Sequence, residues 1–106
     1  MMENSSQNFW KRIYKKSPVA YKAYMHRKDK ENDLITDFFA YYKIYVETRE
    51  VELNTGQPMW EYYVEAKKYM INHVGFRTER GAQRSAVVQM FDILDAQLRN
   101  KTYLKN

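Results

Sequence analysis

The stretch PMWEYYVEAKKYMINHVG, residues 58–75, decides how this chain is read. Trp60, Tyr63, Val64, Lys67, Met70, Ile71 and Val74 stand at i, i+3, i+4, i+7, i+10, i+11 and i+14. Apart from Lys67, that spacing places apolar side chains on one face of a helix. Pro58 suits the first turn, where a missing N–H costs nothing. Gly75 suits the position just past the end, where a left-handed conformation closes a helix. The periodicity therefore predicts a helix over residues 58–74.

Working outward, Asn54-Thr55-Gly56-Gln57-Pro58 is the clearest loop. Ahead of it, Asn32 or Asp33 can start a helix that runs to about residue 49. Leu34, Phe38, Tyr41 and Tyr45 form one stripe along it, and Ile35, Phe39, Tyr42 and Val46 form the next. So wide an apolar arc predicts the most buried helix, or one that faces a partner as well as the core. Residues 46–53 are ambiguous, because alternation of Val46, Thr48 and Glu50 also fits a short extended segment.

Beyond residue 75, a helix starting between residues 78 and 82 runs to about residue 100, with Val87, Phe91, Leu94 and Leu98 as its core stripe. At the other end, Ser5 or Ser6 can cap a helix over residues 7–16 whose apolar face is Phe9, Trp10, Ile13 and Tyr14. Ser17-Pro18 reads as a cap followed by proline at the first position of a second helix, to about residue 30. Taken together, these elements predict an all-α fold: a small antiparallel bundle of four to five helices, three longer and one or two short N-terminal ones. The expected organisation is a single helical domain over 1–106 with flexible ends at about 1–6 and 101–106.

Composition narrows the function classes. The chain of 106 residues is 44% hydrophobic, enough for a core. It has no cysteine, which removes disulfides and thiolate chemistry and fits a reducing compartment. No run approaches the length of a bilayer span, and residues 1–8 lack a hydrophobic signal segment, so the expected location is the cytoplasm. Ten Tyr among abundant Lys and Asn suit a phage or mobile-element origin, and hence the cytoplasm of a host.

The net charge of +5 is unevenly spread. Residues 1–30 carry a net +6, residues 31–66 a net −6 and residues 67–106 a net +5. Either the acidic middle pairs with the basic ends, within the fold or between subunits, or a basic face meets a polyanion.

Catalysis is poorly supported. His26 and His73 belong to no metal-type spacing. Gly56, Gly75 and Gly81 are isolated, so no phosphate loop exists. No nucleophile elbow surrounds Ser85, and carboxylate pairs such as Glu61/Glu65 at i, i+4 are what a solvated helix face also shows. The expectation is a protein that is not an enzyme and holds no cofactor and no metal.

Two basic elements point to an anionic partner. Arg77, Arg80 and Arg84, at i, i+3 and i+7, crowd the start of the last helix, where the dipole is already positive. Guanidinium forks and free backbone N–H groups there can bind an anion together. The competing account is internal pairing: in an up-and-down bundle Asp33 and Asp37 would lie beside Arg80 and Arg84. The second element is Lys11, Arg12, Lys15, Lys16, Lys22, Arg27, Lys28 and Lys30, interleaved with Trp10, Tyr14, Tyr21 and Tyr24. Basic residues among aromatics suit phosphate contacts plus base stacking. The same pattern arises when Lys stems cover aromatic core residues.

A third feature is aromatic. Tyr41/Tyr42 and Tyr62/Tyr63 are adjacent pairs, so on helices some members fall outside a single core stripe. Exposed Tyr is favoured at protein interfaces, which makes a protein partner or a homo-oligomer the alternative to nucleic acid.

The run Lys15-Lys16-Ser17-Pro18-Val19-Ala20-Tyr21 resembles the basic, proline-containing opening of HMG-box domains. The rest of the chain departs from that pattern, and no function is carried over. The leading expectation is a small, basic, non-enzymatic binding protein that contacts nucleic acid or another polyanion. The alternative is a protein-interaction module, such as a phage-type inhibitor or assembly subunit, that uses the Tyr-rich and acidic surfaces.

Overall fold

The computed structural model describes residues 5–31, 35–52, 55–67 and 69–104. The elements are α1 (Ser5–Lys16), α2 (Pro18–Glu31), α3 (Ile35–Tyr41), β1 (Tyr45–Glu52), β2 (Pro58–Ala66), β3 (Tyr69–Phe76) and α4 (Glu79–Leu104). The strands form one antiparallel sheet in the order β1-β2-β3. The all-α expectation is therefore wrong: four helices accompany a three-stranded sheet.

The error lies in residues 58–75. What reads as one amphipathic helix is β2, a reversal and β3. Ala66 pairs with Tyr69, so the chain turns within the two residues between them. The sequence between them is Lys67-Lys68, with none of the Gly or Asn that signals a two-residue hairpin loop. The competing signal was intrinsic preference: Trp60, Tyr62, Tyr63, Val64, Tyr69, Ile71 and Val74 are aromatic or β-branched. Period-two burial follows, with Tyr62, Val64 and Ala66 inward at 2%, 0% and 7% exposure. Gly75 does take a positive φ, of 118°. It does so in a strand, where the register slips between Trp60↔Phe76 and Glu61↔Val74, and not at a helix end.

The helix expected up to residue 49 stops early, and residues 46–52 of the ambiguous stretch fall within β1, while residue 53 lies outside the described residues. The stop has no glycine. Lys43 takes φ 63°, Lys43 N–H donates to Ala40 C=O at 3.0 Å, and Ile44 N–H donates to Phe39 C=O at 3.0 Å. This is a Schellman motif with lysine at the left-handed position. Ile44, just past it, is buried against the core and supplies the hydrophobic contact of that motif. The chain then enters β1 in the extended register Val46↔Val64, Thr48↔Tyr62, Glu50↔Trp60.

The two N-terminal helices and the last helix fall about where the sequence expects them, but Tyr14, expected on the apolar face of α1, is 49% exposed, and Val19 at the start of α2 is 42% exposed. Ser17 N–H donates back to Ile13 C=O at 2.7 Å, and Pro18 opens α2. The next two backbone N–H groups, of Val19 and Ala20, both donate to Asp95 Oδ1, at 2.8 and 3.0 Å. A carboxylate from α4 thus caps α2 across the fold. Thr78 caps α4 itself, its Oγ1 accepting from Gly81 N–H at 3.0 Å. The expected loose ends, about 1–6 and 101–106, fall largely outside the described side chains.

The layers follow from these contacts. α4 packs on all three strands on one side and on α1 and α2 on the other. Ala82, Ala86, Val88, Met90, Phe91, Ile93 and Leu94 along it are all buried, so apolar residues occupy more than one face. Around Phe91 gather Trp10, Tyr24 and Phe39, with ring centroids 6.0, 5.7 and 4.9 Å away in edge-to-face arrangements. Trp10 stacks on Tyr24 with ring planes 6° apart. The sheet's other face carries no described element.

Candidate functional site

α1 and the first turns of α4 form a cleft lined by Asn8, Phe9, Arg12, Gly81, Arg84 and Ser85. Each wall has a local cause. On α1, Asn8 and Arg12 stand at i, i+4, so both fall on one side while Trp10 and Ile13 turn inward. On α4, the Thr78 cap fixes where the helix begins, and Gly81 and Ser85 then share a face one turn apart. The Arg84 guanidinium lies over the Phe9 ring, 4.8 Å from its centroid. Cation–π attraction favours that placement of the guanidinium at the cleft wall. The cleft thus joins two guanidinium groups, a carboxamide, a hydroxyl and the positive end of a helix.

The remaining expected anion-binding residues distribute as follows. Arg77 and Arg80 are exposed, just before and within the first turn of α4, and Arg80 stands one turn from Arg84. Lys11, Lys15, Lys16 and Lys22 are exposed on α1 and α2. Arg27 is half-buried, its guanidinium 4.9 Å from the Tyr41 ring centroid. The side chain of Lys28 lies outside the described residues, as do Lys30's side chain and Asp33. The expected pairing of Arg80 and Arg84 with Asp33 and Asp37 rests on a bundle geometry that the sheet replaces, and Asp33 lies outside the described residues. α3, which carries the exposed Asp37, packs on β1 and α2. The first turn of α4 meets β1 instead: Thr48 Oγ1 donates to Glu79 Oε2 at 3.2 Å.

The aromatics of α1 and α2 mostly serve packing. Trp10 and Tyr24 are part of the core assembly around Phe91, and Tyr14 and Tyr21 pair at 5.2 Å. Burial pushes the Tyr24 phenol above its ordinary pKa. Tyr14, 49% exposed, is the one ring of this set that is openly accessible among the described residues.

The Tyr residues expected at an interface separate by strand parity. Tyr62 is 2% exposed, facing α4, where it is hydrogen-bonded to Ser85 and burial raises its pKa. Tyr63 faces the open side of the sheet. Tyr41 is 64% exposed and sits edge-to-face on the half-buried Tyr42.

The open sheet face has its own groove, lined by Tyr45, Val46, Glu47, Arg49, Tyr63, Glu65 and Met70. Beside it Arg49 donates from Nε to Glu61 Oε1 at 2.8 Å and from Nη2 to the Tyr63 hydroxyl at 2.7 Å. The Glu61 hydrogen bond, with the nearby charges, raises the Arg49 pKa further. Glu61 is buried even though it lies on the face away from α4, because Arg49 covers it.

Sequence reasoning found Arg12 and Arg84 but placed them in separate elements, and it gave Asn8, Phe9, Gly81 and Ser85 no role in a site. The i, i+4 spacing of Asn8 and Arg12 was the available signal. The sheet-face groove had none while its strands were read as helices. Among the described residues no helix is long and apolar enough to cross a membrane, and no group of His, Asp and Glu is placed to hold a metal ion. No family model, no curated protein and no solved structure matches this chain.

Proposed function

We propose that this protein is a non-enzymatic binding protein that grips a polyanion, nucleic acid foremost, by its phosphates at the cleft between α1 and α4. One observation carries the reading: Arg12 and Arg84, far apart in sequence, line one cleft with Asn8, Ser85 and the start of α4. Guanidinium forks match phosphate oxygens bidentately, and a helix start favours the same charge. Exposed Arg77, Arg80 and Lys16 extend the positive surface beyond the cleft. Backbone contacts of this kind position a nucleic acid without reading its bases. A cysteine-free chain suits a reducing cytoplasm, where that ligand is abundant.

The test is a fluorescence-anisotropy titration of labelled single-stranded DNA, duplex DNA and RNA over a range of salt. Binding should weaken steeply with salt, because phosphate neutralisation releases counterions. Arg12→Glu with Arg84→Glu should abolish binding at near-physiological salt with the circular dichroism spectrum retained. Replacing both by Gln should lower the salt slope by roughly two. Absence of binding, or binding untouched by these changes, overturns the reading.

A second reading rests on the sheet-face groove. Tyr45, Tyr63 and Met70 with Glu47 and Glu65 suit a Lys- or Arg-bearing segment of a protein partner, through cation–π and charge contacts. It predicts a complex sensitive to Tyr45→Ala and indifferent to Arg12→Glu, read by isothermal titration once a partner is captured.

A further inference from the structure

We infer that β3 is the seam of a homodimer in which two copies pair their β3 edges antiparallel about a two-fold axis through Asn72. The sheet has two edges, and they differ. β1 carries Glu47, Arg49, Glu50 and Glu52, the kind of charge that keeps edges from pairing. β3 reads YMINHVGF and has no residue charged at neutral pH, its histidine counted neutral. Its outer side pairs with no described strand. Met70 and Val74 are 59% and 50% exposed, and Asn72 between them is exposed as well.

Register supplies the rest of the argument. Met70 pairs with Glu65 and Val74 with Glu61, so both side chains stand on the open face of the sheet. A two-fold axis normal to the sheet keeps the pleats of the two copies in phase only if the paired residue numbers sum to an even value. Centred on Asn72, that pairing sets Met70 opposite Val74 of the second copy, and Val74 opposite its Met70. Two apolar residues at least half exposed on the open sheet face thus become two cross-strand pairs. On the other face Ile71 meets His73 of the second copy. Gly75, with its positive φ at the register slip, ends the flat stretch just past the last such pair. A two-fold axis normal to the sheet also leaves both helical layers on the same side of a continuous six-stranded sheet. The interface is isologous, the same patch serving both copies.

This inference stands apart from the polyanion reading, since it rests on backbone pairing and apolar contact and so should persist at salt concentrations that release a polyanion. Sedimentation equilibrium of the full chain, in high salt and without nucleic acid, should show the mass doubling as concentration rises from micromolar to millimolar. Met70→Lys with Val74→Lys places like charges along the seam and should return the mass to one chain with the circular dichroism spectrum unchanged. A second measurement does not depend on that variant folding. The chain has no cysteine, so Asn72→Cys puts a single thiol on the axis, where facing Cα atoms about 4.5–5.5 Å apart are within disulfide reach. Mild oxidation should convert it to a covalent dimer, whereas Glu50→Cys on the opposite edge should stay monomeric. A wild-type chain that keeps the mass of one chain at every concentration, a dimer that survives the lysine pair, or equal cross-linking at residues 72 and 50 would each overturn the proposal.

Discussion

At the scale of single residues, Asp95 and Lys43 carry structural duties that their types alone do not advertise. The Asp95 carboxylate is 4% exposed and accepts from two N–H groups at the start of α2, while its other oxygen pairs with Arg99 at 2.7 Å. Removing it strands one buried and one part-buried donor. Asp95→Ala should cost about 2–3 kcal/mol, and Asp95→Asn, which keeps an acceptor, clearly less. Urea denaturation of the two variants measures the difference. The Arg99 guanidinium is 57% exposed, so solvent screens that half of the interaction and the caps dominate the loss. Lys43 is the converse case, a residue held at φ 63° where glycine would be at ease. It is exposed, so its side chain gives up little when removed. Lys43→Gly should be neutral to stabilising by up to about 1 kcal/mol, because relief of backbone strain offsets the added freedom of the unfolded chain. A rise in the thermal midpoint relative to Lys43→Ala, which keeps the strain, is the check.

The elements join these residues into a stack of sheet, α4 and the α1–α2 layer, and its interior predicts an alkaline limit. Tyr24 and Tyr62 both have phenols pushed above the ordinary value by burial, Tyr24 against α4 and α3, Tyr62 under α4. The fold therefore holds them neutral after an unfolded chain would have ionised them. For a raised pKa the native state keeps its proton longer, so the stabilisation is complete below about pH 10 and is lost as pH rises through the folded values. Absorbance at the phenolate band should show these two phenols ionising only as the fold is lost. Their ionisation while the chain stays folded would mean that the packing around α4 is looser than described. β2 and β3 also show why the sequence periodicity misled at this scale. Residues 60, 63, 64, 70, 71 and 74 satisfy a helical spacing, but in the strands they divide between two faces: Trp60, Val64 and Ile71 inward, Tyr63, Met70 and Val74 outward. Pairing with β1 and the cover of α4 decided the matter, and neither is local.

For the whole molecule, the segments of opposite charge in sequence become layers of opposite charge in space. The acidic residues of the middle segment sit largely in β1 and β2, and the Lys and Arg of the first segment sit on α1 and α2, across α4 from the sheet. On the proposed reading, a polyanion would lie on the helical side and leave the sheet available for other contacts. A dimer through β3 would present two basic helical layers on the same side, and the second contact to one nucleic acid would then be intramolecular. Affinity for a long oligonucleotide should accordingly exceed that for a short one by more than the ratio of lengths. That excess should vanish in the Met70→Lys, Val74→Lys variant, while affinity for the short oligonucleotide stays the same.

The sequence by itself determined the helical layer: the Ser17-Pro18 break, the inward Phe9, Trp10 and Ile13 of α1, the start of α4 near Thr78, the lack of cysteine chemistry, and the presence of Arg12 and Arg84. Those are local matters, set by capping, proline and periodicity over contiguous residues. It also left the extended character of residues 46–53 open. Only the tertiary structure decided that residues 58–76 are a hairpin, that Tyr62 is core and Tyr63 surface, that Asp95 caps a helix far away in the chain, and that Arg12 meets Arg84 across a cleft. The physical reason is the same in each case. Strand pairing, a cross-fold cap and a two-walled cleft all take their free energy from groups distant in sequence, and spacing along one stretch of chain carries no record of them.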